Sequence, residues 1–301
     1  MTAPAIDDGL AGNRPDSTES VVADASKLAR DVAEVEWYHT LELAPSIITP
    51  GWFDLRGLPR RLPIPASLRG QRALDIGTFD GFWAFEMERR GAEVVAIDIL
   101  DPKAWDWPAN STDELIEILE RRKRGGAGFL LAATSLGSSV RRDEHSIYDL
   151  SPETMGMFDF IFLGSLLMHL RDPVAALESV RSVCRGQLLV VDNVDPGLTV
   201  MHPNRPVADL DGRQRPWWWK VNRAGLVRML EAAGFDMVGT PQWVFMPRGY
   251  GQPRPQLTLG LLRNRARREE AIRGWIGDPH LAVLVQPSPS ARDDLRKIHR
   301  P

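Results

Sequence analysis

Residues 72–99 read RALDIGTFDGFWAFEMERRGAEVVAIDI, and this stretch decides the fold. RALDI is a short apolar run of strand type, and GTFDG is a turn with glycines at Gly77 and Gly81. FWAFEMERRGA has helical spacing, and EVVAIDI is a second strand. A strand, a glycine turn, a helix and a second strand make one turn of an α/β fold.

The alternation continues downstream. STDELIEILERRKR (111–124) is a helix with Ser111 or Thr112 as cap, and HSIYDL (145–150) is expected as a short strand and its exit. MFDFIFLG (157–164) is a buried strand, DPVAALESVRSVC (172–184) a helix with Pro173 in its first turn, and GQLLVVDNV (186–194) another buried strand. NRAGLVRMLEAAG (222–234) is a helix ending at Gly234. FDMVGTPQWVFM (235–246) and HLAVLVQP (280–287) close the chain as strands, with an antiparallel edge because no helix of normal length stands just before the last. Strands buried on both faces imply a doubly wound α/β fold with a mostly parallel, seven-stranded sheet. Upstream, residues 21–35 have helical spacing behind Ser20. Residues 36–70 are broken by prolines yet dense in Trp, Tyr and Phe, which marks a loop that packs over something. The expected layout is a disordered tail (1–20), an N-terminal helix and lid (21–70), a catalytic domain (71–287) and a polar tail (288–301).

Composition narrows the function. The chain has 301 residues, 43% hydrophobic and 26% charged, with a formal charge of −3, so it has no global attraction for nucleic acid or anionic membrane. Cys184 is the one cysteine, which excludes an intramolecular disulfide and a cysteine-based zinc site. No apolar run approaches the roughly 20 residues that span a bilayer, and the first residues lack a signal-peptide core. The expected location is the cytoplasm, and no metal site is expected.

Ligands of open α/β sheets bind outside the carboxyl ends of the strands. Gly77 lets a ligand approach the backbone there. The spacing from Gly77 to Gly81 lacks the third glycine of a pyrophosphate cradle, and Asp75 and Asp80 repel phosphate but suit a ligand with a sulfonium or ammonium. Asp98 ends the second strand, where an acid accepts the hydroxyls of a ribose; the plainer reading is a turn or cap aspartate.

The series LDIGTFDG, VVAID, SIYDL and FDFIFLGSLLMHLRDP resembles the motifs of class I S-adenosylmethionine-dependent methyltransferases, which have a Rossmann-like fold. ITPGWFDLR (48–56), GSLLMHLRDPVAALESVRSV (164–183) and WKVNRAGLVRMLEAAGF (219–235) are similar to the group that includes carboxy-S-adenosylmethionine-dependent transferases acting on the tRNA wobble uridine. The resemblance implies that Gly77, Asp75 and Thr78 face the methionine portion of the cofactor, that Asp98 holds the ribose with Leu100 near it, and that Ile147 and Tyr148 flank the adenine. It places Gly164 beneath the sulfonium, with Trp52 and Arg56 of the upstream loop closing over the cofactor. In the carboxy-cofactor enzymes a tyrosine stands where this chain has Met168, and an arginine stands at about the place of Leu281. A carboxylate buried without those partners costs several kcal/mol, so the expected cofactor is S-adenosyl-L-methionine itself.

Several residues carry two readings. His169, on the carboxyl-end face, is a general base or a histidine bonded to loop backbone. His39 orients substrate or caps local backbone, and Tyr38 beside it is a candidate substrate contact. Trp217, Trp218 and Trp219 cannot all be buried in one strand, so they form an aromatic wall for the acceptor or an exposed surface patch. Trp105 and Trp107 wall the adenine or pack the core. Arg263, Arg265, Arg267, Arg268 and Arg273 touch RNA phosphate or sit on a solvated helix. Asp192 and Asp195 are weak candidates for a cation. The leading expectation is methyl transfer to an oxygen, a nitrogen or a carbon of a small aromatic or sugar-like acceptor, within a biosynthetic pathway and without nucleic acid or membrane. A homo-oligomer is compatible with these features. The alternatives are a tRNA wobble-uridine transferase and a non-catalytic nucleotide-binding module.

Overall fold

The computed structural model describes residues 17–212, 217–252, 271 and 273–291. Helix α1 (Ser17–Ala33) leads into an arm carrying a small hairpin, β1 (Glu42–Ala44) and β2 (Ile47–Ile48). The body follows as β3 (Arg72–Ile76), α2 (Phe82–Arg89), β4 (Glu93–Asp98), α3 (Asp113–Lys123), α4 (Ala127–Leu136), β5 (Arg141–Glu144), α5 (Pro152–Met155), β6 (Phe158–Gly164), α6 (Pro173–Val183) and β7 (Cys184–Asn193). It ends with α7 (Pro196–Met201), β8 (Ala208–Leu210), β9 (Trp219–Val221), α8 (Arg223–Ala232), β10 (Phe235–Met237), β11 (Gln242–Met246) and β12 (Asp278–Pro287).

The central sheet runs β10-β12-β7-β6-β3-β4-β5, with β11 also paired to β12. The five strands from β7 to β5 are parallel, and β12 is antiparallel to β7. The fold is thus a Rossmann-like α/β fold whose eight strands occupy the expected seven lanes. β10 and β11 share one edge of β12 end to end, opposite residues 285–287 and 278–282. Residues 235–246 read as one strand in sequence, but Pro241 cannot donate to a ladder and Gly239 turns with φ 77°, so the strand breaks in two.

Side chains alternate between two cores. Ala73, Val94, Ala96, Phe160, Phe162, Val191 and Ala282 face one, covered by α2, α4 and the arm. Leu74, Ile76, Val95, Ile97, Ile161, Leu163, Val190 and Leu281 face the other, covered by α6 and α8. The same parity sends Asp75, Asp98, Gly164 and His280 toward the arm.

Residues 145–150 are not a strand. The strand lies one step earlier, as β5, and residues 147–149 form a single turn of 3-10 helix capped by the Ser146 hydroxyl, which accepts from the Tyr148 N–H at 3.2 Å. β5 reads RRDE, charged throughout, because it is the sheet's edge, where charge discourages pairing with another chain. Helix α4 lies outside the sequence expectation too, and α1 begins before the apolar spacing does.

Candidate functional site

The site is built where β3, β4, β6, β7 and β12 end. After β3 the N–H groups of Gly77 and Thr78 both donate to the Ile97 carbonyl, at 2.9 and 3.1 Å, which ties the glycine turn to the end of β4. Gly77 has φ 75°, a conformation that favours glycine, and a Cβ there would lie 3.4 Å from the Leu166 side chain. The β3 turn and the turn after β6 therefore face each other. Asp75 is buried and accepts from the Ala84 N–H at 3.1 Å; burial pushes its carboxyl up to about 7. Asp80 is buried too. One of its oxygens accepts the N–H groups of Tyr38 and His39, at 2.6 and 2.9 Å, and burial likewise raises it to about 7.

Asp98 stands at the end of β4, only 8% exposed. Its Oδ2 accepts from the Phe79 N–H at 3.0 Å, and its Oδ1 from the Ile99 N–H at 2.9 Å. Its strongest partner was not anticipated. The Lys123 ammonium, from the last turn of α3, lies 2.5 Å from Oδ1, and the Arg142 guanidinium 3.9 Å from Oδ2. Burial lowers the lysine's pKa, and Asp98 pulls it back up.

The turn after β6 is held by Asp192, whose Oδ2 accepts the N–H groups of Leu166 and Leu167, both at 2.8 Å; burial raises this acid to about 6. Asp195 caps α7 through the Leu198 N–H at 2.9 Å. Ser165, at the head of the turn, has φ 51°, unusual for a residue with a Cβ. Its Oγ is 2.9 Å from Nε2 of buried His280, whose Nδ1 is 3.0 Å from the Asp278 carbonyl. A carbonyl only accepts, so Nδ1 carries the hydrogen and Nε2 accepts from the serine hydroxyl. Burial lowers His280 to about 4, which keeps it neutral. Its partners lie more than a hundred residues apart in the chain, so no local pattern marks this pair.

The other expected residues fall around this centre. Gly164 and Met168 are half-buried, and His169 is half-buried on the single turn Leu167–His169. Ile147 is buried, Leu100 half-buried, and the Tyr148 hydroxyl donates to Asp106 at 2.6 Å. Asp106 is a hub that sequence reasoning missed. It also accepts from the Arg171 N–H at 2.7 Å, and its carbonyl accepts from the Trp218 indole at 2.7 Å. The Trp218 N–H donates to the Met168 carbonyl at 2.8 Å, and the Trp219 indole to the Arg171 carbonyl at 3.3 Å, so the half-buried Trp217–Trp219 run borders the turn that carries Met168 and His169. The Trp105 ring lies 4.6 Å from the Lys123 ammonium and 6.3 Å from Trp107.

In the arm, His39 is buried and pushed down to about 3, with Nδ1 unpartnered among the described residues. Tyr38 packs on Phe53 and Phe79, and Trp52 carries the Arg122 guanidinium over its ring at 3.3 Å. Arg56 is exposed and grips Asp54 through two bonds of 2.8 and 2.7 Å. Of the basic cluster, only Arg273 lies within the described residues. Among those residues, no helix is long and apolar enough to cross a membrane.

The methionine end of S-adenosylmethionine would lie at the glycine turn, where Gly77 and Gly164 are both half-buried and a Cβ on either would crowd the Leu166 or Phe162 side chain, at 3.4 and 2.8 Å. At the ribose end the acid would be Asp98, which Lys123 holds in this conformation.

A family profile described as a methyltransferase domain matches residues 53–240. A ubiquinone biosynthesis O-methyltransferase of Xanthomonas campestris is 30% identical over 162 residues, covering 49% of this chain and 58% of that protein. A tRNA U34 carboxymethyltransferase of Psychrobacter cryohalolentis is 27% identical over 202 residues, covering 65% of this chain and 51% of that protein. The chain thus spans about half the length of these curated relatives. Among solved structures, the 1,6-didemethyltoxoflavin-N1-methyltransferase of Burkholderia thailandensis covers 94% of this chain and 93% of its own, at 17% identity and a TM-score of 0.44. Because the family match takes in every parallel strand and both turns that bear the glycine and the acid, the chain belongs to the methyltransferase domain family.

Proposed function

We propose that this enzyme methylates an oxygen or nitrogen of a small-molecule acceptor in the cytoplasm. The observation that carries this reading is Ser165, beside Gly164. Its hydroxyl hydrogen is committed to His280, which leaves the oxygen's lone pairs free to accept an O–H or N–H from an acceptor. The Met246 sulfur, at 3.4 Å, is the weaker alternative for that hydrogen. Bound S-adenosylmethionine supplies an activated methyl group on a sulfonium. The residues of this chain then align the acceptor and exclude water, and His169 takes the acceptor's proton. The three tryptophans give a planar acceptor an apolar wall.

A second reading, modification of tRNA, draws on the likeness to the Psychrobacter protein. Against it stand the net charge of −3, Met168 in place of a tyrosine, and Leu281, fully buried between β11 and β7 with no charge to offer a carboxylate. Radiolabelled S-adenosylmethionine, offered with a panel of phenols, catechols and amines and separately with unmodified tRNA, separates the two. Label in a small molecule supports the first reading, and label in tRNA overturns it. With an accepted small molecule, Ser165→Ala and His280→Ala should each lower kcat/KM on the order of tenfold or more. Affinity for S-adenosylhomocysteine should stay unchanged.

A further inference from the structure

The Asp98 carboxylate has about four acceptor positions. Backbone N–H groups of Phe79 and Ile99 take one on each oxygen, and Lys123 takes the remaining one on Oδ1. A ribose diol needs a free position on both oxygens, so the diol and Lys123 cannot share Asp98.

The helix that delivers Lys123 is weakly held. α3 buries one residue along its length, and that residue is Lys123, 3% exposed at its side chain. Its apolar residues Leu115, Ile116, Ile118 and Leu119 are half-buried and none is buried, so hydrophobic burial fixes it less firmly than the body. Directly after it, Arg124, Gly125 and Gly126 have φ of 39°, 61° and 88°, a run of left-handed residues of the kind that absorbs a change of backbone direction. The other attachments of its basic end are side chains. Arg122 lies over Trp52 and pairs with Glu36 at 3.3 Å, and Arg124 donates to the Glu34 carbonyl at 2.5 Å.

We propose that α3 is a flap over the cofactor site, closed by Lys123 on Asp98 and displaced when the ribose takes that carboxylate. The inference rests on Asp98 being the ribose acid. When Lys123 leaves, Arg142 still faces Asp98, so the carboxylate is not stranded without a counter-charge. The flap keeps the site shut until a ligand with a vicinal diol competes for the acid, and methionine or adenine alone lacks that lever.

Calorimetric titration with S-adenosylhomocysteine tests this on wild type, Lys123→Met and Asp98→Ala. Lys123→Met should bind roughly tenfold more tightly, the scale of one charge-assisted hydrogen bond no longer broken on binding. Weaker or equal binding by Lys123→Met would overturn the flap and make Lys123 a ligand or a bystander. Asp98→Ala should lose affinity; if it binds like wild type, the ribose assignment itself fails, which is a separate result. Should Lys123→Met not fold, trypsin decides on wild type. Cleavage at residues 121–124 should speed up at saturating S-adenosylhomocysteine if the flap opens, and slowed cleavage would contradict the opening.

Discussion

Two segments lie over the carboxyl ends of the strands, the arm of residues 37–56 and helix α3, and they are fastened in opposite ways. The arm is laced by backbone. The Thr40 N–H donates to the Phe53 carbonyl at 2.9 Å and the Phe53 N–H to the Tyr38 carbonyl at 3.0 Å, Asp54 donates to Pro247 at 3.0 Å, and Gly249 donates to Trp52 at 2.7 Å. Beneath them Trp37, Leu41, Leu43, Phe53 and Leu55 are buried in the core shared with β3, β4 and β6. α3 has no buried apolar residue, and it is held by charge contacts, those of Lys123, Arg122 and Arg124 at its basic end and the Glu120 pair with Lys103 at 2.9 Å. A lid was expected in the arm because aromatic residues crowd there. The proposed flap places the motion in α3 instead, since charge contacts exchange with a ligand or water far more readily than a buried backbone ladder.

The contrast breaks most severely at Gly51. A Cβ there would stand 2.1 Å from the His39 carbonyl carbon and 2.2 Å from the Thr40 nitrogen, both backbone atoms that cannot swing aside. Gly51→Ala should unseat the arm and cost more than about 3 kcal/mol, in the range of severe overpacking. Urea melts of both proteins measure it.

Asp80 sharpens the same side. Asp80→Ala leaves two buried N–H groups unpaired, at about 1–3 kcal/mol each. Its pH dependence has a definite sign. The folded carboxyl titrates at about 7, against an ordinary 3.8, because burial disfavours its charged form. The folded state therefore holds a proton that the unfolded state has released. Stability from this group is full below about pH 4 and is lost as pH rises through about 7. Thermal melts should fall between pH 5 and pH 8, and Asp80→Asn should flatten that slope in part. The rest remains because Asp75 and Asp192 are raised in the same direction.

The smallest effect belongs to α3. Leu115→Ala or Ile116→Ala, at half-buried positions, should cost no more than about 1 kcal/mol, well below a core truncation. A loss beyond about 2 kcal/mol in the same melts would show that α3 is packed like the body and would remove the contrast.

Much of the body was legible because its strands are apolar runs buried on both faces and its glycine turn sits between a strand and a helix. β5 escaped because RRDE carries no apolar signal at all, as an edge strand need not. The places of Gly77 and Asp98 were legible because each stands at the end of an apolar strand run. Lys123 on Asp98, Ser165 on His280 and the Asp106 hub were not, since each joins segments that meet only once the sheet is assembled. Position along one element can be read from spacing, whereas partners across the sheet require the topology.

Hydrogen exchange with mass readout, with and without saturating S-adenosylhomocysteine, compares both segments in one sample. The Thr40, Leu41, Thr49 and Phe53 amides should stay protected throughout, while residues 113–123 exchange fast and faster still with the ligand bound. An arm that loses protection while residues 113–123 gain it would rule out the flap and return the lid to the arm.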